Sequence, residues 1–190
     1  SLQMSGSPQL VKAWLEGDWN VIAGAYFPEF STEQHVIAPF EIPKHWIRIR
    51  AMDWGSARPF SVGWYAVADG DASRETLPPI KRGTLVKYRE WYGMTPNQPN
   101  VGIKFTAEEV AEGIATREQG DIMDDYVLDP SAFSQDGGKS IAERMFDHSR
   151  ISWRPADNKR IGKLGALGGW DQLRARLKGA MLHLAGESCR

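Results

Sequence analysis

The run Arg50-Ala-Met-Asp53-Trp-Gly-Ser-Ala-Arg-Pro-Phe60 places one carboxylate at the end of an apolar stretch, directly before a glycine turn. Trp46-Ile-Arg-Ile-Arg-Ala-Met52 precedes it with strand-type alternation, and Pro59-Phe-Ser-Val-Gly-Trp-Tyr-Ala-Val-Ala68 follows as a second strand. Two such runs around a turn make a hairpin with an acid at the end of its first strand. That acid has two readings. An Asp before a glycine turn commonly bonds its own backbone. A carboxylate at a strand end can also hold a hard divalent cation, which takes oxygen ligands and keeps positions open for water and substrate.

The rest of the chain narrows the choice. Residues 8–20 read as a short helix ended by Gly17, and 21–45 as short irregular strands broken by Pro28, Pro39 and Pro43. The strands at 46–53 and 59–68 lead through a polar, Pro-rich hairpin loop at 69–82 to a third strand, 84–92. Its Val86, Tyr88 and Tyr92 are expected on one face. Thr106-Ala-Glu-Glu109 is a capping box that opens a helix with Ala107, Val110, Ala111 and Ile114 inward. Asp124 and Asp125 read as a solvated turn before a fourth strand, Asp125-Tyr-Val-Leu-Asp129, which ends in a second acid and is stopped by Pro130. A helix over 140–147, a strand at 151–153 and a last helix over 169–178 complete the pattern. Hairpins come first and βα units later. This order predicts an α/β fold: a mixed sheet of about five strands, three antiparallel and then two parallel, flanked by helices. Strand four then lies beside strand one, and Asp53 and Asp129 emerge at neighbouring C-terminal strand ends, where ligands bind in open α/β sheets.

Composition excludes several classes of function. The net charge is −1 over 190 residues, so there is no global basic signature of nucleic-acid binding. Cys189 is the single cysteine and the four histidines lack ligand spacing, which rules out a thiolate zinc site. No apolar run approaches the length of a membrane span. Basic charge is local instead: from residue 154 on, eight Lys and Arg, including Lys159, Arg160, Lys163, Arg174, Arg176 and Lys178, stand against three acids. Such a patch fits phosphate-backbone contact without base reading; the alternative is a solvated helix face. Glu90 on strand three and Asp157 after strand five are further candidate acids, with a solvated strand position and a loop cap as their plainer readings. Ser56 and Ser131 neighbour the two acids and can bond backbone there.

Trp14-Leu-Glu-Gly-Asp-Trp19, Phe27-Pro-Glu-Phe30, His35-Val-Ile, Pro39-Phe, Ile42-Pro, His45-Trp46, Ala51-Met-Asp-Trp-Gly55, Leu128-Asp-Pro-Ser131, Pro155-Ala-Asp-Asn158 and Gly169-Trp-Asp-Gln-Leu-Arg-Ala-Arg-Leu177 follow one another in order. This series resembles the C-terminal nuclease domain of a bacteriophage or prophage terminase large subunit, over nearly the whole chain. The resemblance implies an RNase H-like fold over 21–190, with 1–20 as the linker or tail of an ATPase domain absent from this chain. It implies Mg²⁺- or Mn²⁺-dependent endonucleolytic cutting of concatemeric viral DNA during genome packaging, in the cytoplasm of the bacterial host. Asp53 and Asp129 match the first and second metal-binding, catalytic acids. The expected partners are double-stranded DNA, the ATPase domain, the portal and the small terminase subunit, with no membrane. Nothing after Trp170 matches the family's third acid, so the chain is expected to stop before it. A non-catalytic DNA-binding or docking module, and another RNase H-like nuclease such as a resolvase, are the alternatives.

Overall fold

The computed structural model describes residues 27–70, 80–157 and 168–185. The helix expected over 8–20, the tail assigned to 1–20, most of the 69–82 loop and residues 158–167 therefore lie outside the described residues. One sheet carries seven strands: β1 (Val36–Ile37), β2 (Ile47–Asp53), β3 (Ser61–Val67), β4 (Leu85–Tyr92), β5 (Asp125–Leu128), β6 (Arg154–Pro155) and β7 (Leu182–Ala185). Their spatial order is β1-β7-β4-β3-β2-β5-β6. The pairs β2–β3 and β3–β4 are antiparallel and every other pair is parallel. The five expected strands form the run β4-β3-β2-β5-β6 in the predicted arrangement, with β5 beside β2; the fifth lies at Arg154–Pro155 rather than at 151–153, and its pairing with Val127 and Leu128 sets that place.

Two strands extend this run: β7, which lies outside the expected strands, and β1, which falls among the short strands read over 21–45, where Ser31 caps a helix at Thr32–His35 that the strand reading does not include. β7 joins β4 in parallel, and β1 extends it through Val36↔Leu184 and Ile37↔Ala185. Both are short, and their partners lie far away in sequence, so neither leaves a hairpin signal. The helix α1 (Thr32–His35) delivers β1 to this edge. His35 is buried, and its Nε2–H donates to the Leu177 carbonyl at 2.9 Å, which ties α1 to the last helix.

The other helices are α2 (Ala107–Arg117), α3 (Ile141–Ser149) and α4 (Gly169–Lys178), with a short 3-10 turn at Pro130–Phe133. The capping box is present: Glu109 N–H donates to Thr106 Oγ1 and Thr106 N–H to Glu109 Oε2. Ala107, Val110, Ala111 and Ile114 are all buried, as the spacing requires. α3 repeats the box with Ser140 and Glu143, and turns Met145 inward. These helices cover one face of the sheet, where Met52, Val62, Trp64 and Leu128 meet them. Each large apolar side chain buried there contributes about 1.5–3 kcal/mol.

β4 departs from the expected face. Val86 and Tyr88 are buried, but Tyr92 is exposed and Trp91 takes the inward position. The register slips at Trp64/Tyr65, so that Trp64 pairs Arg89 while Tyr65 pairs Lys87, and Tyr88 is the extra residue of a bulge. A bulge reverses the alternation beyond it. Trp91 then packs edge-on against Phe60 at 4.7 Å between ring centroids. Asp124 and Asp125 are also not a free turn. Asp124 accepts the Arg48 N–H at 2.8 Å, and Asp125 forms a two-pronged ion pair with Arg154 that clamps β5 to β6.

Arg144 on α3 grips Glu108 on α2 through Nε (2.8 Å) and Nη2 (2.6 Å). These bonds hold the Glu108 carboxyl down at about 2. A folded-state pKa below the unfolded one gives stability that is present above the ordinary Glu value and is lost as pH falls from there toward about 2. Both side chains are well solvated, so the pair is worth at most about 1 kcal/mol. Glu108→Gln is expected to lower the melting temperature slightly at pH 8, where the pair is intact, and to converge on the wild type as pH falls from about 4 toward 2, which flattens the acid limb of the profile; an equal loss at pH 8 and in acid would refute this.

Candidate metal centre

β2 presents alternate residues to opposite faces. Arg50 and Met52 turn into the core, and Asp53 faces the other way at the strand end. The parallel ladder to β5 places Met52 opposite Leu128, and Asp129 N–H donates to the Met52 carbonyl at 3.1 Å. Asp53 and Asp129 therefore leave adjacent strands at the same edge and in the same row. The electrostatics show their proximity. Burial first, and then the charge of Asp129, raise the Asp53 pKa.

The two acids are held differently. Asp129 caps the 3-10 turn: its Oδ1 accepts from Ser131 N–H at 2.8 Å and also from Ser131 Oγ. The turn chemistry of Asp-Pro-Ser thus orients the acid, and Oδ2 remains for a ligand. No described residue donates a hydrogen bond to the Asp53 carboxylate.

A loop buttresses the turn after Asp53. Gly102 N–H donates to the Ala57 carbonyl (3.0 Å), Ile103 N–H to Gly93 and Gly93 N–H to Phe60 (both 2.9 Å). A Cβ on Gly102 would run into the carbonyl oxygens of Ser56 and Arg58, and one on Gly55 into those of Arg58 and Pro59. Backbone cannot give way as a side-chain tip can. Gly102→Ala is therefore expected to lower stability by about 1–3 kcal/mol and to shift the turn that carries Asp53. A wild-type melting temperature for this variant would exclude the close approach. No pattern in the sequence marks Gly102, because the contact is between segments that are distant along the chain.

The other expected site residues are placed as follows. Glu90 lies two strands from Asp53, two rows back opposite Gly63, and pairs with Lys87 at 2.9 Å. Asp157 is exposed two residues beyond Pro155, which pairs with Leu128, so it leaves the sheet at the acid edge. Lys159, Arg160 and Lys163 lie outside the described residues. Arg174, Arg176 and Lys178 are on α4. Arg176 donates to the Gly83 carbonyl at 3.0 Å, just before β4, and Lys178 is 3.8 Å from Glu29. β4 runs parallel to β2, so its start is the edge opposite Asp53 and Asp129. Among the described residues no three His, Cys, Asp or Glu come together as a metal cluster.

Sequence reasoning passed over Arg50. It is 2 % exposed and pairs with Glu118 at 2.6 Å, donates to the Ser152 carbonyl at 2.9 Å and stacks over Trp153 at 4.2 Å. Glu118 also accepts from Trp64 Nε1 at 2.6 Å. This buried network ties the strand of Asp53 to β3, the end of α2 and the approach to β6. The only sequence signal for it is a charged residue at an inward position of β2.

No protein-family model matches the sequence, and no curated protein does. Solved structures match in shape. The large terminase of a thermophilic bacteriophage aligns with 86 % of this chain at a TM-score of 0.59 and 16 % identity. The nuclease domain of the P22 large terminase aligns over 86 % of the chain and 72 % of its own length, at a TM-score of 0.55 and 15 % identity. The chain spans about a third, 34 %, of the thermophilic phage protein. The fold is thus that of the phage large-terminase nuclease domains, a mixed RNase H-like sheet flanked by helices.

Proposed function

We propose that this chain is a metal-dependent endodeoxyribonuclease domain that cuts concatemeric viral DNA during genome packaging. The observation that carries this reading is the meeting of Asp53 and Asp129 at adjacent strand ends, close enough for one charge to raise the other's pKa. The likeness in fold to phage terminases supports the packaging context.

The two acids fit a hard divalent cation. They offer carboxylate oxygens, they repel each other without a counter-charge, and one is already oriented by Ser131. Asp53 and Asp129 would hold Mg²⁺ or Mn²⁺, and such an ion polarises a phosphoryl oxygen and lowers the pKa of a bound water. The chain's own residues do the rest. Ser131 fixes the Asp129 carboxylate, the Gly55 turn sets the reach of Asp53, and Arg50 with Glu118 keeps the strand beneath them rigid. Asp157, leaving the same edge, is the described residue best placed to add a third carboxylate, ahead of Glu90, which stands two strands away. Lys159, Arg160 and Lys163 would take DNA phosphates; Arg174, Arg176 and Lys178, on α4, would contact DNA only where it wraps to the edge opposite the acids. Recognition of double-stranded DNA is then sequence-independent. The ATPase domain, portal and small terminase subunit are the proposed partners, and the bacterial host cytoplasm the proposed location.

A second reading, a non-catalytic DNA-docking module, is favoured by one observation: the described residues contain two converging acids and no third. One experiment separates the two. The chain and an Asp129→Asn variant are melted with and without Mn²⁺, then incubated with supercoiled plasmid. A Mn²⁺-induced rise in melting temperature and plasmid nicking, both lost in the variant, are the expected results. Plasmid retention in a gel without a Mn²⁺ shift or nicking would replace the nuclease reading with the docking one.

A further inference from the structure

A second cavity, about 620 Å³, opens near the starts of β2 and β4 beside the turn after α2. It is well away from the acids: the five residues from Arg48 to Asp53 span about 17 Å at the rise of a β-strand. Its polar floor is Arg48, Tyr88, Arg89 and Asp121, and its apolar wall is Phe40, Ile42 and Ile122. Ile122 is 81 % exposed at the rim, so its apolar side chain is free to cover an occupant.

The floor is under-satisfied. Asp121 is shared by two guanidiniums, Arg48 Nη1 at 2.5 Å and Arg89 Nη1 at 2.9 Å. Arg48 Nη2 donates to the Ile42 carbonyl at 3.2 Å, but its buried Nε–H has no acceptor. Tyr88 is 8 % exposed, and its hydroxyl is buried without a partner. Its ring centroid is 6.0 Å from the Arg48 guanidinium and 5.4 Å from that of Arg89. Burial, and then the Asp121 charge, push the hydroxyl up to about 12, so it stays a donor at any physiological pH. Buried donors are paired in the great majority of proteins. Here two residues that carry unpaired buried donors, Arg48 and Tyr88, line one cavity whose lining, with Lys44 and Glu41 included, carries three cations against two carboxylates.

We propose that this cavity binds a single oxyanion, a carboxylate or a phosphate monoester, carried on an apolar or aromatic body. The oxyanion would accept from the Tyr88 hydroxyl and the guanidinium pair. The body would rest on Phe40, Ile42 and Ile122. The size suits a small ligand or one inserted side chain.

The test is a titration of the full chain, followed by calorimetry and by melting temperature, with phenyl phosphate, phenylacetate and the neutral benzyl alcohol as probes. At least one anion is expected to bind saturably and at least about tenfold more tightly than the alcohol. Tyr88→Phe deletes only an oxygen that bonds nothing in the protein. It is expected to keep the wild-type melting temperature and weaken the anion about tenfold. Asp121→Asn removes the competing carboxylate; where it folds, it is expected to bind the anion more tightly. Preference for phenyl phosphate would point to a nucleotide-like ligand, and preference for phenylacetate to an acidic metabolite or side chain. The proposal is overturned by no saturable binding at about 10 mM, by equal affinity for the alcohol, by unchanged affinity in Tyr88→Phe, or by a clearly lower melting temperature of that variant. None of these readouts depends on nuclease activity, so failure here and failure of the nuclease reading are distinguishable.

Discussion

An Asp53→Asn chain is expected to lose at least about 100-fold of its Mn²⁺-dependent plasmid nicking, yet to melt at a higher temperature than the wild type when metal is absent. The activity loss follows from its role as a proposed direct ligand: even partners that only orient a metal ligand cost 10–100-fold when removed. The stability gain follows from the sign of its pKa shift. Burial and Asp129 raise the Asp53 pKa above its unfolded value. A raised carboxyl contributes stability only below the ordinary Asp range and loses it as pH rises through the folded value. At neutral pH the ionised pair is therefore a liability, which Asn relieves and a bound cation offsets. The two measurements are nicking with Mn²⁺ and melting temperature with EDTA, both at pH 7.5. A variant that cuts like the wild type would remove Asp53 from the catalytic set. A variant that melts lower in EDTA would mean that Asp53 serves the turn rather than a metal.

Glu118→Ala is expected to cost about 3–5 kcal/mol of folding stability, the range for breaking a buried ion pair by removing one partner. The geometry justifies the upper part of that range. Arg50 keeps its charge in the core with only the Ser152 carbonyl left as acceptor, and Trp64 Nε1 loses its partner as well. The loss is a large fraction of the ~5–15 kcal/mol typical of a domain. The mechanism predicts a rescue. Arg50→Met combined with Glu118→Leu removes both charges and fills the space, and should recover more than half of the loss. Urea unfolding of the two variants decides. Equal instability of the single and double variants would show that the cost comes from packing alone, not from an orphaned charge.

Both predictions rest on features of unequal legibility. The hairpin, the capping box at Thr106, the parallel return of β5 and the convergence of Asp53 with Asp129 could all be read from the chain. Each depends on local chemistry or on a connection rule. Alternation sets which face a strand residue takes, a Ser or Thr three residues before Glu closes a helix start, and a βα unit returns its strand in parallel.

What only the tertiary structure decided is non-local. The edge pair β1–β7 arises from segments about 150 residues apart in sequence, each too short to carry a period. The bulge at Tyr88 reverses the face of Trp91 and Tyr92, and no residue type announces it. Arg50 reads as one more polar strand position until Glu118, Trp64 and Trp153 close around it. The helix α4 has a basic composition fit for DNA, but its place at the opposite sheet edge follows from the direction of β7, not from its charges. Sequence by itself determined the elements and the row in which the two acids meet, because those follow from interactions within a few residues and from handedness. Packing between distant segments decided what surrounds that row, because burial and pairing across a sheet depend on which surfaces meet.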